Sequence, residues 1–219
     1  MERSRVAIVI PALNEALTVA EVVKAVIQYG IPIVVDDGSN DKTSEKANSV
    51  GAIVVRHEKN LGYDEALNSG FKKARDIGAE FILTMDADGQ HNAELIEKFI
   101  KVASTGVDVV VGVRSRKQRI AEILFGFYTF ALYRIKDPLC GMKCYSTKVY
   151  SDCGYFDSYG SVGTELILFA AGNHYKICQI DMVVRNRKDQ PRFGSAFSGN
   201  LKILRSMAIG LFRLLFIIK

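Results

Sequence analysis

The first half of the chain alternates short β-branched apolar runs with segments whose apolar residues recur at helical spacing. Predicted strands occupy 6–10, 31–35, 52–56, 80–85 and 107–113, and predicted helices occupy 14–28, 42–50, 62–76 and 93–104. Strands separated in this way by helices form a parallel sheet with right-handed crossovers. The pattern therefore predicts an α/β fold with a mostly parallel central sheet flanked by helices.

The second half is less regular. It contains predicted helices over 119–135 and 163–172, a predicted strand over 175–184 and an apolar closing helix from 201. Between the last strand and the closing helix lies a basic segment, 185–195.

Composition limits the class of protein. The chain has 219 residues, 48% of them apolar, and a formal net charge of +5, which indicates a sizeable core and excludes general disorder. So small a basic excess does not indicate a nucleic-acid partner, and it suits an anionic substrate or membrane surface. We expect no signal peptide or classical membrane span, because the apolar runs are too short. The four cysteines fit neither a zinc site nor a disulfide scaffold, so they are predicted to be reduced cytosolic thiols.

Polar loops follow the first, second and fourth predicted strands, and the carboxyl ends of parallel strands form the ligand-binding edge of such a sheet. The loop after the fourth strand carries Asp86, Asp88 and Gln90. Mg²⁺ and Mn²⁺ prefer oxygen ligands, usually one or two carboxylates together with substrate phosphates. We therefore predict that these three residues bind a divalent cation that bridges a diphosphate. The alternative is an Asp turn with a helix cap.

Acidic and basic side chains follow two further strands. Of Asp36 and Asp37, one is predicted to accept loop N–H groups and the other a nucleobase N–H or a ribose hydroxyl, with a plain turn as the alternative. Arg114 ends the fifth strand and is predicted to hold phosphate oxygens. The basic segment 185–195 is suited to closing over a diphosphate or gripping an acceptor phosphate, unless it is a solvated surface loop.

Glu165 stands at the start of a predicted apolar helix, where it is either a general base or a favourable helix N-terminal charge. Residues 119–135 and 201–218 are apolar, aromatic-rich and interspersed with Arg and Lys. This pattern suits helices that lie in a bilayer interface and are attracted by anionic lipids. The alternative is that both are ordinary core or dimer helices.

The segments "VIPALNEA", "VVDDGSNDKT", "NLGYDEALNSGF", "MDADGQH", "VGVRS" and "DPLCGMKCY", in this order, resemble family 2 glycosyltransferases. The nearest branch resembles the dolichyl- or polyprenyl-phosphate sugar synthases. The resemblance implies the GT-A fold, which is Rossmann-like, over a catalytic domain at 1–195. That domain would comprise a nucleotide-binding half, 1–114, and an acceptor half, 115–195, followed by an amphipathic, membrane-proximal helix at 196–219.

The resemblance also implies roles for individual residues. Pro11, Leu13 and Glu15 would pack around the nucleotide, Asp37 would meet the base, and Asp86, Asp88 and Gln90 would hold Mg²⁺ or Mn²⁺. Arg187 and Arg192 would handle phosphates. Together with Glu165, which is a candidate from its position in the chain and not from the resemblance, Asp88, Arg114 and Arg192 form the predicted catalytic set. Such enzymes often have a basic residue after "NLG", where this chain has Tyr63, so no phosphate contact is expected there.

The resemblance implies inverting transfer from a GDP- or UDP-sugar to a polyprenyl or dolichyl phosphate, which we expect at the cytoplasmic face of a membrane. A lipid phosphate is already an anion and needs no strong base. A glycan or glycolipid hydroxyl would need one, and Glu165 is then the candidate. A non-catalytic nucleotide-sugar binding module and a nucleotidyltransferase are further alternatives. The retained metal acids argue against the first, and the absence of a Gly-rich basic first loop argues against the second. The chain could also form a homo-oligomer.

Overall fold

The computed structural model describes residues 5–87, 94–115, 119–183 and 196–216. The strands in this part of the chain are β1 (Val6–Ala12), β2 (Ile31–Asp36), β3 (Ile53–Arg56), β4 (Phe81–Thr84), β5 (Val109–Arg114), β6 (Lys143–Ser146) and β7 (Ile177–Met182). The helices are α1 (Val19–Val26), α2 (Thr43–Ser49), α3 (Tyr63–Asp76), α4 (Glu94–Ala103), α5 (Ile120–Tyr133), α6 (Thr147–Cys153), α7 (Glu165–Gly172) and α8 (Ala196–Phe216).

The strands form one sheet in the order β3-β2-β1-β4-β6-β5-β7. Neighbouring strands are parallel except at β6, which runs antiparallel to both β4 and β5. The predicted α/β fold with a mostly parallel sheet is therefore confirmed. The antiparallel direction of β6 was not predicted, because the chain reaches it by a turn at 137–142 rather than by a crossover helix.

Helices cover both faces of the sheet, which explains why its central strands are apolar throughout. Side chains alternate along β1, so that Val6, Ile8 and Ile10 pack with α1 and α4 on one face. Ala7 and Val9 pack with α3 and α7 on the other face. This second core includes Phe71, Tyr145 and Phe156, whose rings lie 4.7 to 6.4 Å apart.

Several details of the helices differ from the sequence prediction; the closing helix, for example, begins at Ala196 rather than at 201. The first helix begins at Val19 rather than at 14, because the preceding loop bonds to its neighbour: the Glu15 amide donates to Thr43 Oγ1 at 2.9 Å. Helix α6 was not predicted at all. It is only 7 residues long, and its sequence "TKVYSDC" carries too few apolar positions to show a period.

Helix α8 packs against α5 and against the loop before α7. Its Ile203 joins Ala121, Phe125 and Leu168 in a third small core. None of the helices in the described ranges has both the length and the apolar character needed to cross a bilayer.

Candidate active site

The carboxyl ends of β2, β1 and β4 lie side by side at one edge of the sheet. The Asp37 amide donates to Ala12 O at 2.9 Å, and the Met85 amide donates to Val9 O at 3.0 Å. The three polar loops predicted to share a site therefore leave the sheet at adjacent positions. This edge is where open parallel sheets bind their ligands.

The loop after β1 is bonded to the loop after β2. Asn14 has a left-handed backbone, with φ of 53°. Its amide donates to Ser39 Oγ at 2.8 Å, and its side-chain oxygen accepts from the Asn40 amide at 2.9 Å. Glu15 is buried, with Oε2 accepting from Thr18 Oγ1 at 2.8 Å. We call these two bonded loops the wall: Leu13 and Glu15 lie in its first loop, and Pro11 lies beside it at the end of β1, opposite Val35 of β2.

Asp36 and Asp37 are both buried and both bonded within the protein. Asp36 is 0% exposed, and its carboxylate accepts from the Ser39 amide at 2.8 Å and faces Arg56 at 3.5 Å. Asp37 accepts from the amides of Leu61 and Gly62, each at 2.8 Å, and contacts His57 Nδ1 at 2.7 Å. These hydrogen bonds hold the "NLG" turn against the carboxyl end of β2.

Asp86 follows β4 and lies beside Gly141 and Tyr63. A Cβ atom built on Gly141 would stand 2.6 Å from Asp86 Oδ2, so the carboxylate rests directly on this glycine. Burial first, and then the charge of Asp86, raise the pKa of Tyr63 well above its ordinary value. Asp88 and Gln90 lie outside the described residues. Within the described ranges, no three acidic, His or Cys side chains form a metal-binding group.

Lys143 is a buried cation that sequence reasoning missed. It lies on β6 opposite Thr84, is 4% exposed, and donates from Nζ to Gly163 O at 2.9 Å. Burial lowers its pKa to about 8, although the charges of Cys140, Asp137 and Asp86 oppose the shift. The antiparallel direction of β6 brings this lysine near Asp86.

Arg114 forms a bidentate salt bridge with Asp137. Its Nε and Nη2 atoms donate to the two Asp137 oxygens at 2.8 and 2.9 Å, and Nη2 also lies 3.3 Å from Glu122 Oε2. Burial alone would lower the pKa of Arg114, but the hydrogen bond and charge of Asp137 raise it above its ordinary value. The guanidinium therefore joins β5 to the 137–142 turn and to α5. Arg187 and Arg192 lie outside the described residues.

Glu165 is bonded on both of its carboxylate oxygens. Oε2 accepts from the Ser158 amide at 2.6 Å, and Oε1 accepts from Ser158 Oγ at 2.8 Å and pairs with Arg213 of α8. Burial is the largest influence on its pKa and raises it. A raised pKa suits a general base, but these bonds hold the carboxylate toward the C-terminal helix.

The loop at 156–165 is held together by side chains. Its ten consecutive amides all donate to side-chain oxygens, at 2.6 to 3.3 Å. The acceptors are Asn68, Glu165, Asp157, Asp64 and Ser161. Val162 adopts a left-handed backbone with φ of 58°, which is strained for a β-branched residue. The network connects the start of α3, at the sheet edge, with α7.

Asp64 is the acceptor for the strained turn of this loop. Its carboxylate accepts from the Gly163 amide at 2.7 Å and the Val162 amide at 3.3 Å. Burial, followed by the charge of Asp157, raises its pKa to about 6 from an ordinary 3.8. The sequence offered no signal for this role, because it depends on a contact across 99 positions of the chain.

We expect Asp64 to give the protein a measurable loss of stability as the pH rises from about 4 to about 6. The folded state holds this proton more tightly than the unfolded chain, so the loss of this proton from the unfolded chain between about pH 4 and about pH 6 favours unfolding, and the effect levels off above about pH 6. Urea unfolding of the wild type and of Asp64→Asn at pH 4.5, 6 and 7.5 measures the effect. The free energy of unfolding of the wild type, minus that of Asp64→Asn, should decrease as the pH rises. Asp76→Asn, an exposed site on α3, is the control, and a pH-independent difference for Asp64→Asn would contradict the assignment.

Comparison with protein families gives a match over residues 7–150 to the model described as glycosyl transferase family 2. An uncharacterized protein of Methanocaldococcus jannaschii is 33% identical over 199 residues, which cover 82% of this chain and 81% of that protein. The UDP-N-acetylglucosamine–dolichyl-phosphate N-acetylglucosaminyltransferase of Methanococcus voltae is 29% identical over 64% of this chain and 68% of its own length. The dolichol-phosphate mannosyltransferase of Pyrococcus furiosus is 34% identical over 50% of this chain and 33% of its own length.

Solved structures with a similar fold include glucosyl-3-phosphoglycerate synthase from Mycobacterium tuberculosis in complex with Mn²⁺, uridine diphosphate and phosphoglyceric acid. Its TM-score is 0.77 at 22% identity, over 94% of this chain and 78% of that one. A mycobacterial protein gives a TM-score of 0.77 at 22% identity, over 96% of this chain and 74% of its own. At this level of identity the likeness concerns the fold.

Proposed function

Because this chain belongs to glycosyl transferase family 2, we propose that it transfers a sugar, with inversion, from a nucleotide-diphosphate sugar to a polyprenyl phosphate. The relatives named for dolichyl-phosphate and dolichol-phosphate transfer support this acceptor. We further propose that the enzyme works as a peripheral protein on the cytoplasmic face of a membrane. The donor would bind at the edge where β2, β1 and β4 end.

In this proposal the wall formed by the first two loops receives the nucleoside. Pro11 and Leu13 offer apolar contact, and Glu15 keeps the wall in place through Thr18 and Thr43. Asp37 fixes the "NLG" turn beside that wall, and we propose that it also contacts the base. Asp36 then acts as a buried support for the loop that carries Asp37.

A divalent cation fits the residues at the end of β4. Mg²⁺ and Mn²⁺ commonly take one or two carboxylates plus substrate phosphates, and Asp86 presents a carboxylate at the sheet edge. Asp86, Asp88 and Gln90 would hold the cation, which when bound neutralises charge on the leaving diphosphate. Arg187 and Arg192 are proposed to add positive charge around the phosphates. Arg114 would act mainly by keeping Asp137 and α5 in position.

The exposed face of α5 is the observation that supports a lipid acceptor most strongly. Apolar side chains line this face at helical spacing: Ile120, Ile123, Leu124, Phe127 and Phe130, with Phe127 75% exposed. The buried face of the same helix carries Glu122 and Thr129. An exposed stripe more apolar than the buried face marks a surface made for an apolar partner. Glu122 ties the first turn of α5 to Arg114, so the stripe begins close to the end of β5.

The state of Glu165 also favours a phosphate acceptor over a hydroxyl. Its two oxygens are engaged by Ser158 and Arg213. A phosphate oxygen is already anionic at neutral pH and attacks without a strong base, so the enzyme's task is to position the reactants and offset repulsion. A hydroxyl acceptor would require Glu165 to leave these bonds.

The proposed reaction is tested by transfer of label from radiolabelled UDP- and GDP-sugars to undecaprenyl or dolichyl phosphate with Mn²⁺ or Mg²⁺. Label should enter the organic phase only with metal present. Asp86→Asn should reduce transfer by about a hundredfold or more, because the variant replaces a charged metal ligand with a neutral amide. Asp76→Asn should not change it. Transfer in metal-free buffer would contradict the metal assignment, and donor hydrolysis without labelled lipid would contradict the acceptor.

Glu165→Gln distinguishes a supporting role from catalysis by a base. We expect kcat for lipid transfer to change by less than about threefold, because an anionic acceptor needs no base. Arg213→Gln is the matched control, since it breaks the same pair but keeps the carboxylate. A loss of about a hundredfold or more in kcat for Glu165→Gln alone would support a hydroxyl acceptor.

Sedimentation with vesicles of mixed anionic and neutral lipid tests the α5 stripe. The double variant Ile120→Gln/Phe127→Gln should bind vesicles at least about tenfold more weakly, because two large apolar side chains no longer enter the interface. Both side chains are exposed, so thermal unfolding should change little. Leu17→Gln is the control, since Leu17 is 88% exposed and lies outside α5. Unchanged vesicle binding would show that α5 serves another contact.

A further inference from the structure

The turn that leads into β6 contains a glycine, Gly141, that lies directly against the carboxylate of Asp86. Gly141 stands two residues before β6, in the segment "DPLCGMKCY". A Cβ atom at this position would lie 2.6 Å from Asp86 Oδ2 and 3.2 Å from both Cγ and Oδ1. Real Cβ atoms do not approach other atoms to 2.6 Å, so any larger residue must displace the carboxylate.

The backbone conformation does not explain the glycine. Gly141 is absent from the residues with positive φ, which include eight other glycines of the described chain. An alanine at this position would therefore not be forced into the left-handed region. What the glycine provides here is space, and the group that fills the space is the carboxylate of Asp86.

Gly141 also cannot move away from Asp86 easily. Thr84 Oγ1 donates to Gly141 O at 2.6 Å and accepts from the Lys143 amide at 3.1 Å. On the other side, the Gly112 amide of β5 donates to Met142 O at 3.0 Å. The segment 141–143 is thus fastened to both neighbouring strands, and Thr84 itself is only 2% exposed.

We propose that Gly141 is a positioning residue for Asp86, and that Thr84 holds Gly141 in place. The inference rests on the proposed function, in which Asp86 binds a divalent cation beside the donor diphosphate. Metal–oxygen distances at such sites are held within about 0.2 Å. A methyl group that forces the carboxylate outward by more than this should weaken metal binding while leaving the sheet intact.

The test measures Mn²⁺ affinity directly, from the electron paramagnetic resonance signal of free Mn²⁺ during titration in the presence of UDP or, separately, GDP. Gly141→Ala should raise the dissociation constant of Mn²⁺ by at least about tenfold. Gly30→Ala is the matched control. A Cβ atom there would lie 2.7 Å from Val6 O, at the opposite edge of the sheet, so it introduces a similar clash far from Asp86 and should leave Mn²⁺ affinity unchanged.

A double variant shows whether Gly141 acts through Asp86. Asp86→Asn should weaken Mn²⁺ binding, and Gly141→Ala added to it should weaken binding no further. In turnover assays, Gly141→Ala should raise the Mn²⁺ concentration for half-maximal activity and keep kcat at saturating Mn²⁺ within about twofold. A general loss of structure would instead lower kcat without changing that concentration.

Thr84→Val keeps the inference testable if Gly141→Ala does not fold. It removes the hydrogen bonds between Thr84 Oγ1 and the 141–143 segment and adds no volume near the carboxylate. Its Mn²⁺ dissociation constant should rise about threefold or more, and only in proteins that retain Asp86. Wild-type affinity in both variants, or additive effects with Asp86→Asn, would overturn the positioning role. Wild-type affinity in Asp86→Asn itself would overturn the proposed metal site, and the positioning role with it.

Discussion

The insertion of β6 between β4 and β5, antiparallel to both, is the constraint on which the arrangement of the site depends. A parallel strand in that place would present its carboxyl end at the site edge. The antiparallel strand presents its beginning instead, so the turn at 137–142 reaches the ends of β4 and β5. Asp137 can then pair with Arg114, and Gly141 can receive Asp86. β6 thus joins β4 to β5 along their length, and the turn before it joins their carboxyl ends.

The charged groups near the site illustrate how a binding edge is stabilised before any ligand arrives. Asp37, Glu165 and Asp64 each accept backbone amides of a loop, and Arg114 joins three elements through two acids. Buried charges are costly unless they are paired and hydrogen-bonded. Here the partners are themselves the loops that form the site, so the same bonds that satisfy the charges also give the loops their shape.

The sequence was informative where a local pattern determines the structure. The first five strands follow from apolar runs, and the order of the polar loops follows from the parallel connections. The family resemblance depended on local motifs, and the match to the family model confirmed it. The sequence was less informative where a role depends on contacts between distant positions. Arg114 was expected to meet phosphate, but its partner Asp137 lies 23 positions away. Lys143 and Asp64 carried no local signal, since their environment exists only after β6 and the 156–165 loop have packed.

The 156–165 loop has a consequence for redesign of this protein. Its amides are bonded by side chains from α3, from α7 and from the loop itself, so its shape depends on both its length and its composition. A segment that looks irregular in sequence is therefore intolerant of insertions and deletions, unlike most surface connections. Attempts to graft a loop of different size between α6 and α7 should fail, whereas replacing side chains around a fixed backbone should succeed.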